Sequence, residues 1–448
     1  MDDKPLSISD QTTRRVEDLF LTFFERRGYH VIPGSSLVDD SLPMTFVMSA
    51  GLVQVERGIG KPAETDGNLV LVQNCFRHFD LERIGRSDVH LSLFRMLGAF
   101  TFGAIRREER IAETWELLTR HYGLAPRDLW ATYFQGDRLA GQSLPPDTET
   151  YQTWRKLGLP AERLVGLGLG QNYWRQGGNF LGGEHHRKCG PISEIWLDRG
   201  NTGHCNEPCQ PGCSCGRFVE FVNILFIESQ EREAIICLDS PFTETVIGVE
   251  RLAMALEGVP SIFDCSEIKP LLEMIRAEER DPVCSGTERP VYERQIADHL
   301  RALLFLTADG APPPGKGGRA YLMRRLVREL LTAQRLLGLD GEKCLPRLIS
   351  STARLCAPIH PGIPAIQDAV CQNIFDEARR FEHTLQKGFQ ELEQLQNRQK
   401  LPCSKEDLLV AGKGLGIPPA LLMLQVEKYL TNKEELASRA LSDVVKTS

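Results

Sequence analysis

The chain has 448 residues, 42% hydrophobic and 25% charged, with a formal net charge of −7. That length exceeds one hydrophobic core, so two or three globular domains are expected. The negative balance excludes a surface that is basic throughout, so any nucleic-acid contact must come from a local patch. Thirteen cysteines are too sparse for a disulfide scaffold at this length, and their odd number fits a reducing cytosol. The opening MDDKPLSISD lacks the basic and apolar parts of a signal peptide, and no long uncharged apolar run spans a membrane. A cytoplasmic location is expected.

In chain order, Val16, Leu19, Phe20 and Phe23 share one face and predict a helix over 11–27. Residues 68–103 alternate short apolar runs with turns and read as antiparallel strands. A helix over 110–122 leads to a strand from 128, and 141–148 reads as a turn-rich insert. Strands over 219–228 and 234–238 are joined by a charged turn at 230–233. FTETVIGVERL (242–252) is a polar strand that runs through Gly248 into a helix over 249–257. The pattern breaks at 265–290, which predicts domains over 1–265 and 266–448. The second reads as mostly helical, with helices over 291–307 and 319–336 around a loop at 309–318 of three prolines and four glycines. Ile374, Ala378, Phe381, Leu385, Phe389, Leu392 and Leu395 form a stripe that suits a helix packed on its own domain better than a projecting coiled-coil arm. A small helical region is expected over 404–440.

Three clusters carry chemistry. Arg77 ends a strand-like run, and Arg251 stands in the first turn of a helix behind Gly248. Guanidinium forks match phosphate oxygens, and the unpaired N–H groups of a helix start favour an anion. Glu220 and Glu250 would bind magnesium or orient the arginines. A surface ion pair is the plainer reading of Arg251 taken alone. The run 315–319, GKGGR, lacks the order of a P-loop. Cys205, Cys209, Cys213 and Cys215 fall within eleven residues, a density that suits a structural tetrahedral zinc site, with metal-free or redox cysteines as alternatives. The adjacent His185 and His186 cannot easily converge on one ion and suit a polar turn. Finally, Arg319, Arg324, Arg325, Arg328 and Arg335 lie within seventeen residues against a single acid, Glu329, with Tyr321 on the preceding turn. They would track an RNA backbone, or form a solvated helix paired with acidic neighbours.

Taken together, ordered fragments give the chain a resemblance to the alanyl-tRNA synthetase family of class II aminoacyl-tRNA synthetases. LFLTFFERRGYHVIPGSSLV (19–38) is similar to its motif 1, MSAGL (48–52) to its NAGM element, and NCFRHFDLERIG (74–85) with HLSLFRMLGAFTFG (90–103) to motif 2. QNYW (171–174), CGPISEIW (189–196) and RFVEFVNILFIE (217–228) follow in family order. VIGVER (246–251) resembles motif 3, and IADHLRALLFLTADG (296–310) the start of the tRNA-recognition region. The resemblance implies an α+β fold. A class II antiparallel β-sheet flanked by helices would be followed by a mainly helical acceptor-stem domain. It implies activation of a small amino acid, L-alanine above all, with ATP and Mg2+, and transfer to the 3′ end of tRNA, tRNA-Ala being the expected partner. By the same resemblance Arg77 and Arg251 are catalytic, holding the α- and terminal phosphates. Asp80, Phe94, Met96, Glu220 and Gly248 complete an ATP site. Trp174, Asn223, Glu244, Val246 and Gly248 form the amino-acid pocket, with Glu244 receiving the α-ammonium. Lys316, Arg319, Arg324, Arg325, Arg328 and Lys413 contact tRNA.

The departures predict specialisation. Glu244 stands for the family's aspartate, and Val246 for a glycine beside the pocket. Both reshape the site, as an inhibitor-resistant or dedicated homologue would. Lys316 and Lys413 stand where the family reads an acceptor-stem base pair. Lysine donates but cannot accept a hydrogen bond, so discrimination would be relaxed or redirected. No editing motif follows, so mischarging would go uncorrected in this chain, and a monomer is expected. The competing readings are a non-catalytic tRNA-binding paralogue and an adenylate-forming enzyme with a non-tRNA acceptor.

Overall fold

Period-two alternation on the central strands creates two apolar faces from one sheet. This is seen in a computed structural model that describes residues 13–39, 46–49, 67–176, 187–200, 205, 209–278, 283–284, 286–397 and 405–424. His185, His186, residues 50–52 of the MSAGL element and 425–440 of the expected last helical region lie outside the described residues. The chain divides into two compact units, Met1–Leu272 and Glu273–Ser448.

In the first unit, helix α1 (Thr13–Glu25) precedes strands β1 (His30–Val31), β2 (Leu69–Phe76) and β3 (Leu93–Phe102). Helix α2 (Arg107–Glu116) continues as a wider turn over Leu117–His121, so the helix read over 110–122 begins earlier than its apolar pattern suggests. Strand β4 (Leu129–Phe134) follows. The expected turn-rich insert is instead a small hairpin of β5 (Asp137–Leu139) and β6 (Gln142–Leu144), leading into helix α3 (Thr148–Lys156). Next come β7 (Leu164–Leu167), the single turn α4 (Leu169–Asn172), β8 (Tyr173–Arg175), β9 (Arg187–Asp198), β10 (Phe218–Glu231), β11 (Ile235–Gly248) and helix α5 (Val249–Glu257). The main sheet runs β1-β2-β3-β11-β10-β9-β4-β7, with β8 on β9. The pairs from β2 through β4 are antiparallel; only β1–β2 and β4–β7 are parallel.

Val70, Leu97, Ala99, Val222, Ile224, Phe226 and Ile247 point to one face and pack with Val16, Phe20, Phe23 and Phe24 of α1 and Leu252 of α5. Leu69, Leu71, Phe100, Leu225, Ile227, Phe242 and Val246 point to the other, where Met96 and Trp174 join them. The first face is a helix-covered core. The second carries the cavity described below. β9 approaches β10 closely at Gly190, where a Cβ would lie 1.8 Å from the Phe226 carbonyl oxygen, so no larger residue fits there.

One polar cluster lies within the helix-covered side. Arg95 on β3 is 2% exposed, and its guanidinium meets Glu17 of α1 (2.7 Å), Glu250 of α5 (3.4 Å) and Glu267. Glu250 also accepts from the Arg95 backbone N–H at 3.0 Å. Burial pushes the Glu17 carboxyl up to about 7, against the opposing pull of Arg95.

The second unit is helical. It holds α6 (Lys269–Glu278) in part, α7 (Arg289–Ala308), α8 (Gly318–Leu336), α9 (Gly341–Cys356), α10 (Ile363–Asn397) and α11 (Lys405–Gly414). Of the stripe read on α10, Ile374, Phe381, Leu385 and Leu392 are buried, and the helix packs along α7, α8 and α9. Buried His299 lies between Asp298 (3.0 Å) and Glu329 (3.1 Å). Burial alone would lower its pKa; the two carboxylates overcome that and raise it to about 9. Among the described residues no helix is long and apolar enough to cross a membrane.

Candidate active site

The sheet's second face holds a cavity of about 420 Å3. Its lining brings together Arg77, Asp80, Phe94, Met96, Glu220, Asn223, Val246, Gly248 and Arg251, drawn from four separate stretches of sequence. The register explains the convergence. Gly98 of β3 pairs with Val246 of β11, Val246 with Asn223 of β10, and Asn223 with Glu194 of β9. Met96 pairs with Gly248 one step along.

Arg77 follows the end of β2. Its backbone N–H donates to Ser92 O (2.9 Å), its Nε to Met48 O (3.1 Å), and its guanidinium lies over the Phe94 ring at 5.0 Å. Arg251 stands in the first turn of α5, whose N-cap is Gly248, without a side-chain cap. Its Nε donates to Val89 O (3.2 Å) and its Nη1 to Glu220 O (2.8 Å), with Glu220 Oε2 at 3.6 Å. Backbone carbonyls therefore aim both guanidinium groups, and Arg251 also pairs with the Glu220 carboxylate.

Residues the sequence reading missed also line this cavity, notably Arg83, His90 and Glu194. His90 Nδ1 is 2.6 Å from Ser87 Oγ. Burial, then the charges of Arg251, Arg83 and Arg77, lower its pKa to about 3, so the ring is neutral. Four nitrogen-bearing side chains thus line the cavity. Acids line it too, and Arg251 lies beside one of them, Glu220. The Asn223 amide donates to Glu220 Oε1. Burial first, then the Glu220 charge, pushes Glu194 up to about 8. The signal for Arg83 and His90 was their position within the second motif, which carries no periodicity of its own. Glu250 also lines the cavity, but both of its oxygens accept from the Arg95 N–H.

Trp174 and Glu244 are not among the lining residues. Trp174 packs into the apolar cluster that includes Val246. Glu244 is 3% exposed, and its Oε1 has no hydrogen-bond partner among the described residues. Burial alone pushes it up to about 8.

Residues 15–432 match the family described as tRNA synthetases class II (A). The chain belongs to that family. It is 31% identical over 391 residues to the alanine--tRNA ligase of Thermoanaerobacter sp. (strain X514), a stretch covering 86% of this chain and 42% of that protein. The alanine--tRNA ligase of Desulforudis audaxviator is 34% identical over 375 residues, covering 82% and 40%. That of Kocuria rhizophila is 30% identical over 458 residues, covering 97% and 48%. The chain therefore spans less than half the length of these curated relatives. Among solved structures, apo histidyl-tRNA synthetase of S. aureus is 13% identical with a TM-score of 0.33, over 65% of this chain and 75% of that one.

Two further clusters of this class II chain bear on function. The sulfurs of Cys205, Cys209, Cys213 and Cys215 all lie within 4.8 Å of one another. Cys205 and Cys213 are 3.7 Å apart, Cys209 and Cys215 3.2 Å, and none is in a disulfide. A tetrahedron with zinc–sulfur bonds of about 2.3 Å spaces its sulfurs at about 3.8 Å, so the set fits that ion. In the second unit, the basic helix is largely committed to ion pairs. Arg325 binds Glu329 (2.7 Å), Arg328 binds buried Glu377 (2.7 Å), and Arg335 binds Glu382. Arg324 instead lies over exposed Tyr321 at 5.4 Å, and Lys316 and Lys413 are exposed.

Replacing Glu244 with Gln separates burial from charge. A carboxyl whose folded-state pKa is raised loses stability as pH climbs through about 8. Glu244→Gln should therefore leave the urea midpoint nearly unchanged at pH 5 and raise it at pH 9, as followed by circular dichroism.

Proposed function

We propose that the chain activates a small amino acid with ATP and transfers it to tRNA, as an alanyl-tRNA synthetase homologue. The observation that carries this reading is the convergence of Arg77 and Arg251 on one cavity beside Asn223 and Val246. Arg77 holds the α-phosphate and Arg251 the terminal phosphates, while the Phe94 ring backs the Arg77 guanidinium. The amino-acid carboxylate attacks the α-phosphorus, an oxygen–phosphorus bond forms, and the bond to pyrophosphate breaks. The fixed guanidinium groups stabilise charge as it develops on the phosphate oxygens, with little reorganisation. Neutral His90 adds a polar ring to the cavity wall. Glu220 is the carboxylate that would hold magnesium, whose charge would offset the polyphosphate. A terminal ribose hydroxyl of tRNA then attacks the activated carbonyl and releases AMP.

Val246 fills space where the amino-acid side chain would rest, which favours glycine, alanine or serine. Its bulk and the recessed Glu244 support the reading of a specialised or inhibitor-resistant homologue. The helical unit takes the acceptor stem, tRNA-Ala by family analogy, through Lys316, Arg319, Tyr321, Arg324 and Lys413. Arg325 and Arg328, expected to touch RNA, instead support the helix that presents Arg324. The four cysteines hold a structural zinc ion that fixes the loop before β10. The cytoplasm, where ATP and tRNA are available, is the proposed location.

In ATP–pyrophosphate exchange, Arg77→Ala and Arg251→Ala should each lower kcat/KM by about 100- to 1,000-fold. In the same assay Val246→Gly should change the glycine, alanine and serine profile by about tenfold or more for one substrate; an identical profile would show that Val246 does not gate the pocket. Arg324→Ala should weaken binding of an acceptor-stem duplex and flatten its salt dependence, with an unchanged unfolding midpoint. Arg328→Ala should instead cost about 1–3 kcal/mol of stability, because Glu377 loses its nearer partner. Elemental analysis should find one zinc per chain, lost in Cys213→Ser.

A further inference from the structure

The four-cysteine loop that leads into β10 carries chemistry beyond holding a metal ion. Gly212 and Gly216 have φ of +92° and +84°, left-handed turns that fold the chain back around the sulfurs. The Cys213 N–H closes the first of these turns on Gln210 O at 3.1 Å. All four cysteines are half-buried, which leaves them open to a small solute, whereas Cys75, Cys189, Cys265, Cys344 and Cys356 are buried. Two contacts use up the four sulfurs without sharing one: Cys209 with Cys215 at 3.2 Å, and Cys205 with Cys213 at 3.7 Å. The loop runs directly into the strand that serves the cavity. Arg217, just past Cys215, binds Asp198 of β9 through Nε and Nη2, both at 2.7 Å. Further along the same strand, the Glu220 carbonyl accepts from Arg251 at 2.8 Å.

We propose that this loop is an oxidation site, at which hydrogen peroxide converts the four zinc-bound thiolates into Cys205–Cys213 and Cys209–Cys215 disulfides and frees the ion; this rests on the zinc reading above. A thiolate attacks one peroxide oxygen, the O–O bond breaks, and the sulfur becomes a sulfenic acid as the other oxygen leaves and is protonated to water. The facing thiolate then attacks that sulfur, an S–S bond forms, and the sulfenic oxygen departs as a second water. Each disulfide thus consumes one peroxide, two thiolates and two protons. Zinc needs deprotonated thiolates as ligands, and a disulfide sulfur carries no negative charge, so two such steps remove the whole ligand set. Thiolate character and exposure favour this loop over the buried cysteines. With its sulfurs no longer drawn to one centre, the loop releases its hold on the start of β10, the strand whose Glu220 carbonyl aims Arg251.

Treatment of the purified full chain with hydrogen peroxide, beside a chromogenic zinc chelator, tests this. Zinc should be released in step with the loss of four thiols per ion. Peptide mapping without reductant should find Cys205 joined to Cys213 and Cys209 to Cys215. Pyrophosphate exchange should fall as zinc leaves, and return when a thiol reductant and zinc are added back. Zinc retained while exposed Cys237 is oxidised overturns the proposal, as do disulfides that join other cysteines. Full exchange by the oxidised, zinc-free chain overturns the link to β10. An untreated chain that holds no zinc overturns the zinc reading and this inference together, whereas zinc that is held and never released overturns this inference alone. Zinc release and disulfide mapping decide the chemistry whether or not the chain catalyses exchange.

Discussion

A single buried arginine holds the strand beneath the cavity to the helix that supplies Arg251. Arg95 carries one positive charge into a space with three carboxylates, Glu17, Glu250 and Glu267. Burial pushes the Glu17 carboxyl up to about 7, which eases the crowding of acids. Glu250 immediately precedes Arg251 and is bonded to both the backbone and the side chain of Arg95. The first turn of α5 therefore cannot rotate without breaking a desolvated ion cluster, a change that typically costs about 3–5 kcal/mol. The placement of Arg251 in the cavity thus depends on an interaction made on the far side of the sheet.

With that helix start fixed, the cavity wall carries charges of both signs. Arg77, Arg83, Arg251 and a neutral histidine share it with Glu194 and Glu220, and Arg251 lies 3.6 Å from a Glu220 oxygen. The antiparallel register gathers them, because neighbouring strands are about 4.8 Å apart and same-face residues recur at every second position. Val89, Leu91, Met96, Val246 and Ile262 supply the aliphatic part of the wall.

The helical unit uses charge differently. Five arginines on α8 look alike in one dimension. In the fold, Arg325, Arg328 and Arg335 are drawn into ion pairs with Glu329, Glu377 and Glu382, two of those acids lying on α10. Glu377 is almost fully buried, so its pair with Arg328 is an internal tether. Arg324, stacked on exposed Tyr321, retains the stacking surface that RNA recognition uses.

The order of motifs, the α+β class, the strand running into α5 at Gly248 and the helices of the second unit were all legible in the chain, because periodicity and local turn chemistry are local properties. The arginines at 77 and 251 could be read as anion ligands because guanidinium chemistry does not depend on neighbours. Tertiary structure alone decided which charges remain available. It withdrew Glu244 and Trp174 from the cavity wall and brought in Arg83, His90 and Glu194. It also placed three of the five helix arginines in ion pairs. Burial and partner distance set the ionisation and availability of a side chain, and both arise from strand register and helix packing between residues far apart in the chain.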